Sequence, residues 1–196
     1  MVDGALAHLY ALVAMIDAKH LHTRDHSENV AAYAVALGLA LGLEREHVVR
    51  LRRAGLLHDI GKVAVRAAIL EKPSRLTDDE FAEIRTHSIV GGMMLAHAGL
   101  GDEASWVRHH HERFDGGGYP DGLAGEAIPL ESRILFVADS FEAMTSDRPY
   151  RDGMPAEDAL AELRRCAGTQ FDPAIVDVLE RLVTSGELPL LALRNG

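Results

Sequence analysis

The chain has 196 residues, of which 47% are hydrophobic and 26% charged, a composition typical of one globular domain. Its 20 Lys+Arg and 30 Asp+Glu give a formal net charge of −10, which argues against non-specific electrostatic binding of polymeric nucleic acid. The single cysteine excludes a disulfide framework within the chain and favours a reducing, cytoplasmic compartment. No apolar run is long enough to span a membrane.

The hydrophobic periodicity predicts an all-α fold, a compact bundle of several helices. In chain order, the expected helices cover about residues 6–19, 26–43, 44–58, 77–96, a segment ending near 109, 131–144, and two more that begin near Pro155 and Pro173. Thr77 and Glu80 form a capping box, and Asp172 is in position to cap the last helix. Strand signals are poor, and residues 63–70 are the only candidate strand.

The long irregular stretch is residues 114–129, which contain five glycines and two prolines. An ordered loop of this length inside a compact helical domain usually has a function. We divide the chain into an N-terminal helix over residues 1–14, expected to serve signalling or dimerisation, and one domain over residues 15–196. The apolar stripe of the first helix requires burial, either within the chain or across a homodimer.

Several ionisable residues lie on helix faces that are otherwise apolar: His26, His58, His87 and Asp139. A buried polar group without a partner costs about 1–3 kcal/mol, so each of them needs a compensating contact. One such histidine alone is best explained as a core residue with an ordinary hydrogen bond. The four together, with the tandem pairs His58-Asp59 and His110-His111, favour one shared cation site instead.

The number of candidate ligands predicts the number of metal ions. The set exceeds what a single transition metal accepts, so it favours two divalent ions, with Asp59 as the natural carboxylate bridge. Imidazole and carboxylate donors without thiolate suit iron or manganese, with zinc, nickel or cobalt as alternatives. The candidate ligands are His26, His58, Asp59, His87, His110, His111 and Asp139.

These motifs resemble the HD-GYP subgroup of the HD-domain metal-dependent phosphohydrolases. The HD doublet is His58-Asp59, and the GYP signature is Gly118-Tyr119-Pro120, a few residues after His110-His111. The ordered set of matches extends over about residues 15–180 and ends at Phe171-Asp172-Pro173. We refer to residues 114–129 as the GYP loop.

The resemblance implies an all-helical HD-domain bundle that hydrolyses cyclic di-GMP to pGpG or on to GMP, with a hydroxide that bridges two metal ions. It also implies that the seven candidate ligands carry over position by position. Some family members hold a third metal ion through a glutamate one turn before the first ligand histidine. His22 occupies that position here, and this departure leaves both two and three metal ions open.

The resemblance also assigns roles beyond the metal ligands. Asp59 and Lys62 are the expected catalytic residues, and Lys62, Arg148 and Arg151 are expected to bind the substrate. Tyr119 is a further substrate candidate that stacks on a base, orders the loop or presents a surface to a partner. In relatives the GYP loop is linked to diguanylate cyclase domains, which makes such a domain a candidate partner. The alternatives are a phosphohydrolase of another cyclic dinucleotide or nucleotide, and a non-catalytic module that binds cyclic di-GMP or a partner protein.

Overall fold

The computed structural model describes residues 2–19, 26–147 and 152–188. Within these ranges the chain forms α-helices, two short 3₁₀ helices and no strand, which confirms the all-α prediction. The α-helices are α1 (Val2–Lys19), α2 (His26–Ala40), α3 (Arg45–Leu57), α4 (Ala67–Leu70), α5 (Asp78–His97), α6 (Gly101–Arg108), α7 (Leu130–Thr145), α8 (Ala156–Arg165) and α9 (Pro173–Ser185). The 3₁₀ helices are Ile60–Ala64 and Gly125–Ala127.

The core is centred on α2, which packs against α3 on one side and against α7 on another. Tyr33 of α2 and Phe141 of α7 are almost completely buried and meet edge to face, with ring centroids 5.6 Å apart. α5 packs against α6 and against the first 3₁₀ helix. The helices that carry the candidate ligands therefore share one apolar core, which fixes their relative positions.

The predicted helix starts are confirmed at the caps that define them. Thr77 accepts from the backbone N–H of Glu80, and the Glu80 carboxylate accepts from the backbone N–H of Thr77 at 2.8 Å. Asp172 caps α9 by accepting from Ala174 at 2.9 Å, with Pro173 as the first helical residue. Each such cap satisfies backbone donors that the helix itself leaves without a partner.

The candidate strand over residues 63–70 does not form. A 3₁₀ helix ends at Ala64, where the backbone N–H of Val65 donates to Lys62 O at 3.0 Å, and α4 follows. Val65 and Ile69 are buried while Val63 is 49% exposed. The apolar residues of this run therefore pack from helical turns, and the described part of the chain offers no neighbouring strand for a ladder.

α1 runs through residue 14 without a break, and the division of the chain at that residue stays a prediction. The helix contacts α3 and the first 3₁₀ helix, and Val13 and Ile16 of its apolar stripe are buried within the chain. Met15 on the same helix is 67% exposed. None of the described helices combines the length and the hydropathy that crossing a bilayer requires.

Candidate metal centre

All seven predicted ligands lie in the described residues and come from five segments of the chain. They converge at one place: His26 at the start of α2, His58 and Asp59 after α3, His87 in α5, His110 and His111 after α6, and Asp139 in α7. Most of these side chains are buried, with His110 at 0% and His58 and His87 at 1% exposure. The fold thus brings together residues as far apart in sequence as His26 and Asp139.

The donor atoms form two groups that can each hold a metal ion. In the first group, donor atoms of His26, His58 and Asp59 lie within 4.8 Å of one another. Asp139 belongs to the same group, because its Oδ1 lies 3.5 Å from His26 Nε2 and 3.9 Å from His58 Nε2. In the second group, donor atoms of His87, His110 and His111 lie within 4.8 Å of one another.

The carboxylate of Asp59 faces both groups. Its Oδ2 lies 3.4 Å from His58 Nε2 in the first group, and its Oδ1 lies 3.5 Å from His87 Nε2 in the second. This is the arrangement expected of a carboxylate that bridges two cations.

Backbone carbonyls orient three of the imidazoles. In each case Nδ1–H donates to the carbonyl three residues earlier: His58 to Gly55 (2.7 Å), His87 to Ile84 (2.7 Å) and His110 to Val107 (2.6 Å). The proton on Nδ1 leaves the Nε2 lone pair free to ligate, which is how metal-binding histidines are usually held. His58 Nε2 is buried and has no hydrogen-bond partner among the described residues, so a cation would satisfy it.

The electrostatics favour the protonation states that bind metal. Burial and then the neighbouring imidazoles lower the pKa of His110 well below its usual value, and burial lowers the pKa of His111 to about 3. Burial alone would raise the pKa of Asp59, but Lys62 and the surrounding imidazoles hold it well below its usual range. Neutral imidazoles and an ionised carboxylate are the forms that coordinate divalent ions.

His26 differs from the other ligands because a carboxylate holds its Nδ1. Glu142 Oε2 lies 2.5 Å from His26 Nδ1. Burial opposes protonation, but this hydrogen bond and the nearby carboxylates raise the pKa of His26 to about 9. The carboxylates near His26 Nε2 stabilise a positive charge at that atom. They would stabilise a divalent cation bound to it in the same way, so His26 and its neighbouring carboxylates fit a site for such an ion.

The predicted catalytic and substrate residues are only partly within the described structure. Lys62 is not on a continuation of α3, because that helix ends at Leu57 and Lys62 lies in the 3₁₀ helix that follows. Its ammonium nevertheless reaches the site and hydrogen-bonds Asp59 Oδ2. Arg148, Arg151 and His22 lie outside the described residues.

The GYP loop lies against the second group of ligands. The Tyr119 ring packs on the His111 ring with centroids 4.9 Å apart and an interplanar angle of 31°. The buried carboxylate of Glu112 holds the loop by accepting from the backbone N–H groups of Asp121 at 2.7 Å and Gly122 at 3.0 Å. A β-carbon at Gly118 would lie 2.2 Å from Arg113 N, so only glycine fits there.

Three residues near the site were not identified from the sequence: Glu142, Glu112 and Arg85. Glu142 follows Asp139 by three residues on α7, a spacing that places both on one helix face and was the available signal. Glu112 directly follows the ligand pair His110-His111. Nothing in the sequence indicates that Arg85 lies over the Tyr119 ring, because this contact joins α5 to a distant loop.

The chain is similar to a known domain family and to several curated proteins. The family model of the HD domain matches residues 11–175. The chain is 39% identical over 180 residues to the cyclic di-GMP phosphodiesterase response regulator RpfG of Xanthomonas campestris. This alignment covers 88% of this chain and 47% of that protein. It is 38% identical over 168 residues to 3′3′-cGAMP-specific phosphodiesterase 3 of Vibrio cholerae. This alignment covers 85% of this chain and 36% of that protein.

The fold is also similar to that of a solved structure. The crystal structure of a cyclic GMP-AMP specific phosphodiesterase from V. cholerae superposes with a TM-score of 0.72 at 21% identity, covering 92% of this chain and 49% of that one. The chain spans less than half the length of these relatives. The match to the family model over most of the chain confirms the family resemblance inferred from the motifs: the chain belongs to the HD domain family.

Proposed function

We propose that this chain is a metal-dependent phosphodiesterase that hydrolyses cyclic di-GMP to pGpG, to GMP or to both. The observation that carries the proposal is the position of Asp59, whose two oxygens face two separate groups of imidazole donors. The name of the Xanthomonas relative, a cyclic di-GMP phosphodiesterase, supports the choice of substrate.

Each group of donors would hold one divalent ion. Asp59 contributes Oδ2 to the first group and Oδ1 to the second, and Asp139 completes the first. Divalent ions at this position would activate a water molecule near neutral pH and neutralise negative charge on the phosphodiester. The donor chemistry favours iron or manganese, and His22 is the candidate ligand for a third ion.

Lys62 supplies a positive charge beside the metal ligands. Its hydrogen bond to Asp59 Oδ2 keeps the ammonium at the edge of the site, where it would neutralise a non-bridging phosphate oxygen. Asp59 therefore has two proposed roles, as a metal ligand and as the group that positions Lys62. Arg148 and Arg151 are proposed to bind the phosphates or the guanine edge, since the guanidinium group suits both.

The second candidate substrate is 3′3′-cGAMP, which the Vibrio relative is named for at 38% identity. Both candidates are cyclic dinucleotides with two phosphodiester bonds and differ in one base. The kcat/KM values for the two substrates, measured side by side, decide between them. A higher value for 3′3′-cGAMP would move the assignment to that substrate.

The experiment that tests the activity uses the whole chain, purified without oxygen and loaded with iron or manganese. We expect about two ions per chain by metal analysis and conversion of cyclic di-GMP to pGpG or GMP by chromatography. The double variant His58→Ala/Asp59→Ala should lose at least about 100-fold in rate, because it removes charge stabilisation built into the site. His97→Ala is the matched control, since His97 is exposed and bonds only Met93 O among the described residues.

A protein that holds two ions and hydrolyses neither cyclic dinucleotide with either metal would overturn the proposal. Binding of cyclic di-GMP without hydrolysis would then support the non-catalytic module instead.

Two partner predictions also belong to the proposal. The exposed side of α1, which includes Met15, is proposed as the contact of a homodimer. The GYP loop is proposed as the surface that meets a diguanylate cyclase domain.

A further inference from the structure

A column of side chains leads from the metal centre to the protein surface. We call it the Arg85 column, and it consists of Phe81, Arg85, Tyr119 and His111. The Arg85 guanidinium carbon lies 4.6 Å from the centroid of the Phe81 ring and 5.2 Å from that of the Tyr119 ring. Tyr119 in turn packs on His111 of the second ligand group, with ring centroids 4.9 Å apart. The column ends in solvent, where Phe81 is 42% exposed.

Within the described ranges, the Arg85 guanidinium contacts two aromatic rings and forms no ion pair. Arg66 bonds Glu83, and Arg108 binds both carboxylate oxygens of Asp121. The Arg85 guanidinium, by contrast, donates no hydrogen bond to any residue in the described parts of the chain. Contacts with two aromatic rings restrict the planar group and leave its N–H donors unused. The Arg85 guanidinium is therefore held at the rim of the site with its N–H donors available to a ligand.

The place of Arg85 in the column suits recognition of a base more than of the reacting phosphate. The metal ligands and Lys62 mark where the reacting phosphate is expected, and the Tyr119 ring lies between His111 and Arg85. The base of a nucleotide bound through its phosphate extends away from the reacting centre. Aromatic rings and arginine planes are the groups on which proteins stack splayed-out bases.

We infer that Arg85, positioned by Phe81 and Tyr119, donates to the O6 and N7 acceptors of a guanine base and makes the site prefer guanine over adenine. This inference rests on the proposed function, because it takes the substrate to be a cyclic dinucleotide. Guanine presents two adjacent acceptors to a guanidinium fork, whereas adenine presents a donor in place of one of them. A guanidinium fork also matches phosphate oxygens. The test is therefore designed to distinguish binding to the guanine base from binding to a phosphate.

The test measures equilibrium binding of two slowly hydrolysed probes, the phosphorothioate analogues of cyclic di-GMP and cyclic di-AMP, to the metal-loaded chain. Arg85→Ala should raise the Kd of the guanine analogue about tenfold and leave that of the adenine analogue within about twofold, as expected for loss of a bidentate base contact. Arg85→Lys should lose most of the same preference, because an ammonium lacks the planar fork. Arg181→Ala on α9 should change neither Kd, because Arg181 is exposed and its guanidinium donates no hydrogen bond to any described residue.

Three outcomes would overturn the inference. If Arg85→Ala raised the Kd of both analogues equally, Arg85 would bind phosphate. If it changed neither Kd, Arg85 would only support the loop. Failure of the wild-type chain to bind the guanine analogue would also refute it. If the Kd values follow the expected pattern but the wild-type chain hydrolyses neither cyclic di-GMP nor 3′3′-cGAMP, only the proposed function is overturned. Unchanged Tm values for the variants exclude unfolding as the cause.

Discussion

The acceptor at Nδ1 distinguishes His26 from three other histidines of the candidate metal centre. Backbone carbonyls orient His58, His87 and His110, whereas the carboxylate of Glu142 orients His26. Glu142 is itself buried and also accepts from Ser146 Oγ at 2.8 Å. A carboxylate in this position fixes the ring and makes its Nε2 a better ligand, so Glu142 is a positioning residue for the first group of donors.

Glu142→Gln is expected to weaken metal binding about tenfold, the lower end of what such outer partners contribute. The amide keeps the shape and can still accept from Nδ1–H, but it removes the negative charge that strengthens the ligand. The measurement is a competition titration of the divalent ion against a chromogenic chelator.

Glu131→Gln is the matched control for this variant. Glu131 is also a buried glutamate on α7, but it bonds His47 and no predicted ligand. Its metal affinity should equal that of the wild type. The assigned role of Glu142 fails when both variants bind metal as tightly as the wild type, or when both lose the same amount.

The sequence alone was enough to select the seven candidate ligands that the fold brings together, but it did not indicate how their side chains are oriented. His26, His87 and Asp139 interrupt apolar helix faces, and this conflict between residue type and position was a visible signal. The carbonyls that orient the imidazoles carry no such signal, because every residue has one. The contact between Arg85 and Tyr119 depends on how α5 meets the GYP loop, which is a property of the tertiary packing.

At the level of elements, the close approach of the first 3₁₀ helix to α5 determines the geometry of the site. The 3₁₀ helix follows Asp59 and carries Lys62, while α5 carries His87. A β-carbon on Gly61 would lie 1.9 Å from His87 O and 2.6 Å from Gly91 N. The absence of a side chain at Gly61 is therefore what lets the two elements meet.

Gly61→Ala is expected to lower the free energy of unfolding by at least about 2 kcal/mol, because backbone atoms must move to admit the methyl group. The same movement would displace Asp59 and Lys62 from His87 and reduce metal binding. Chemical denaturation and the chelator titration measure the two effects.

Gly101→Ala provides the comparison, since a β-carbon there meets nothing within 4 Å. Its free energy of unfolding should stay within about 0.5 kcal/mol of the wild type, as for most surface changes. If Gly61→Ala were equally harmless, the close contact between the 3₁₀ helix and α5 would not exist in solution.

The candidate strand near the same element does not form, and the reason is physical. Residues 63–70 contain valines and an isoleucine, which favour strands, but that preference reflects packing on a sheet and is easily overridden. Here Val65 and Ile69 are buried from a 3₁₀ turn and from α4 instead. α5 was predicted close to both of its observed ends, and α9 close to its observed start, because capping signals are local.

At the scale of the whole molecule, the candidate centre joins α2, α3, α5, α6 and α7, and the same helices contribute to the apolar core. Without cations, several imidazoles and two carboxylates converge there with few partners. His58 Nε2 has no hydrogen-bond partner among the described residues. Ions bound at this point would therefore connect distant segments of the chain and satisfy groups that folding leaves without a partner.

Metal loading is accordingly expected to stabilise the whole fold and not only the site. An ion at 100 times its Kd adds about 2.7 kcal/mol to the free energy of unfolding. For a chain of this size that corresponds to an increase in Tm of roughly 5–10 °C. Scanning calorimetry of chelator-treated and iron- or manganese-loaded protein measures this difference.

His97→Ala should show the full increase in Tm. His58→Ala/Asp59→Ala should show little of it, because that variant lacks a candidate ligand of the first group and the carboxylate that faces both groups. An equal increase in the double variant would mean that the ions bind elsewhere and that the convergence of these helices does not depend on them.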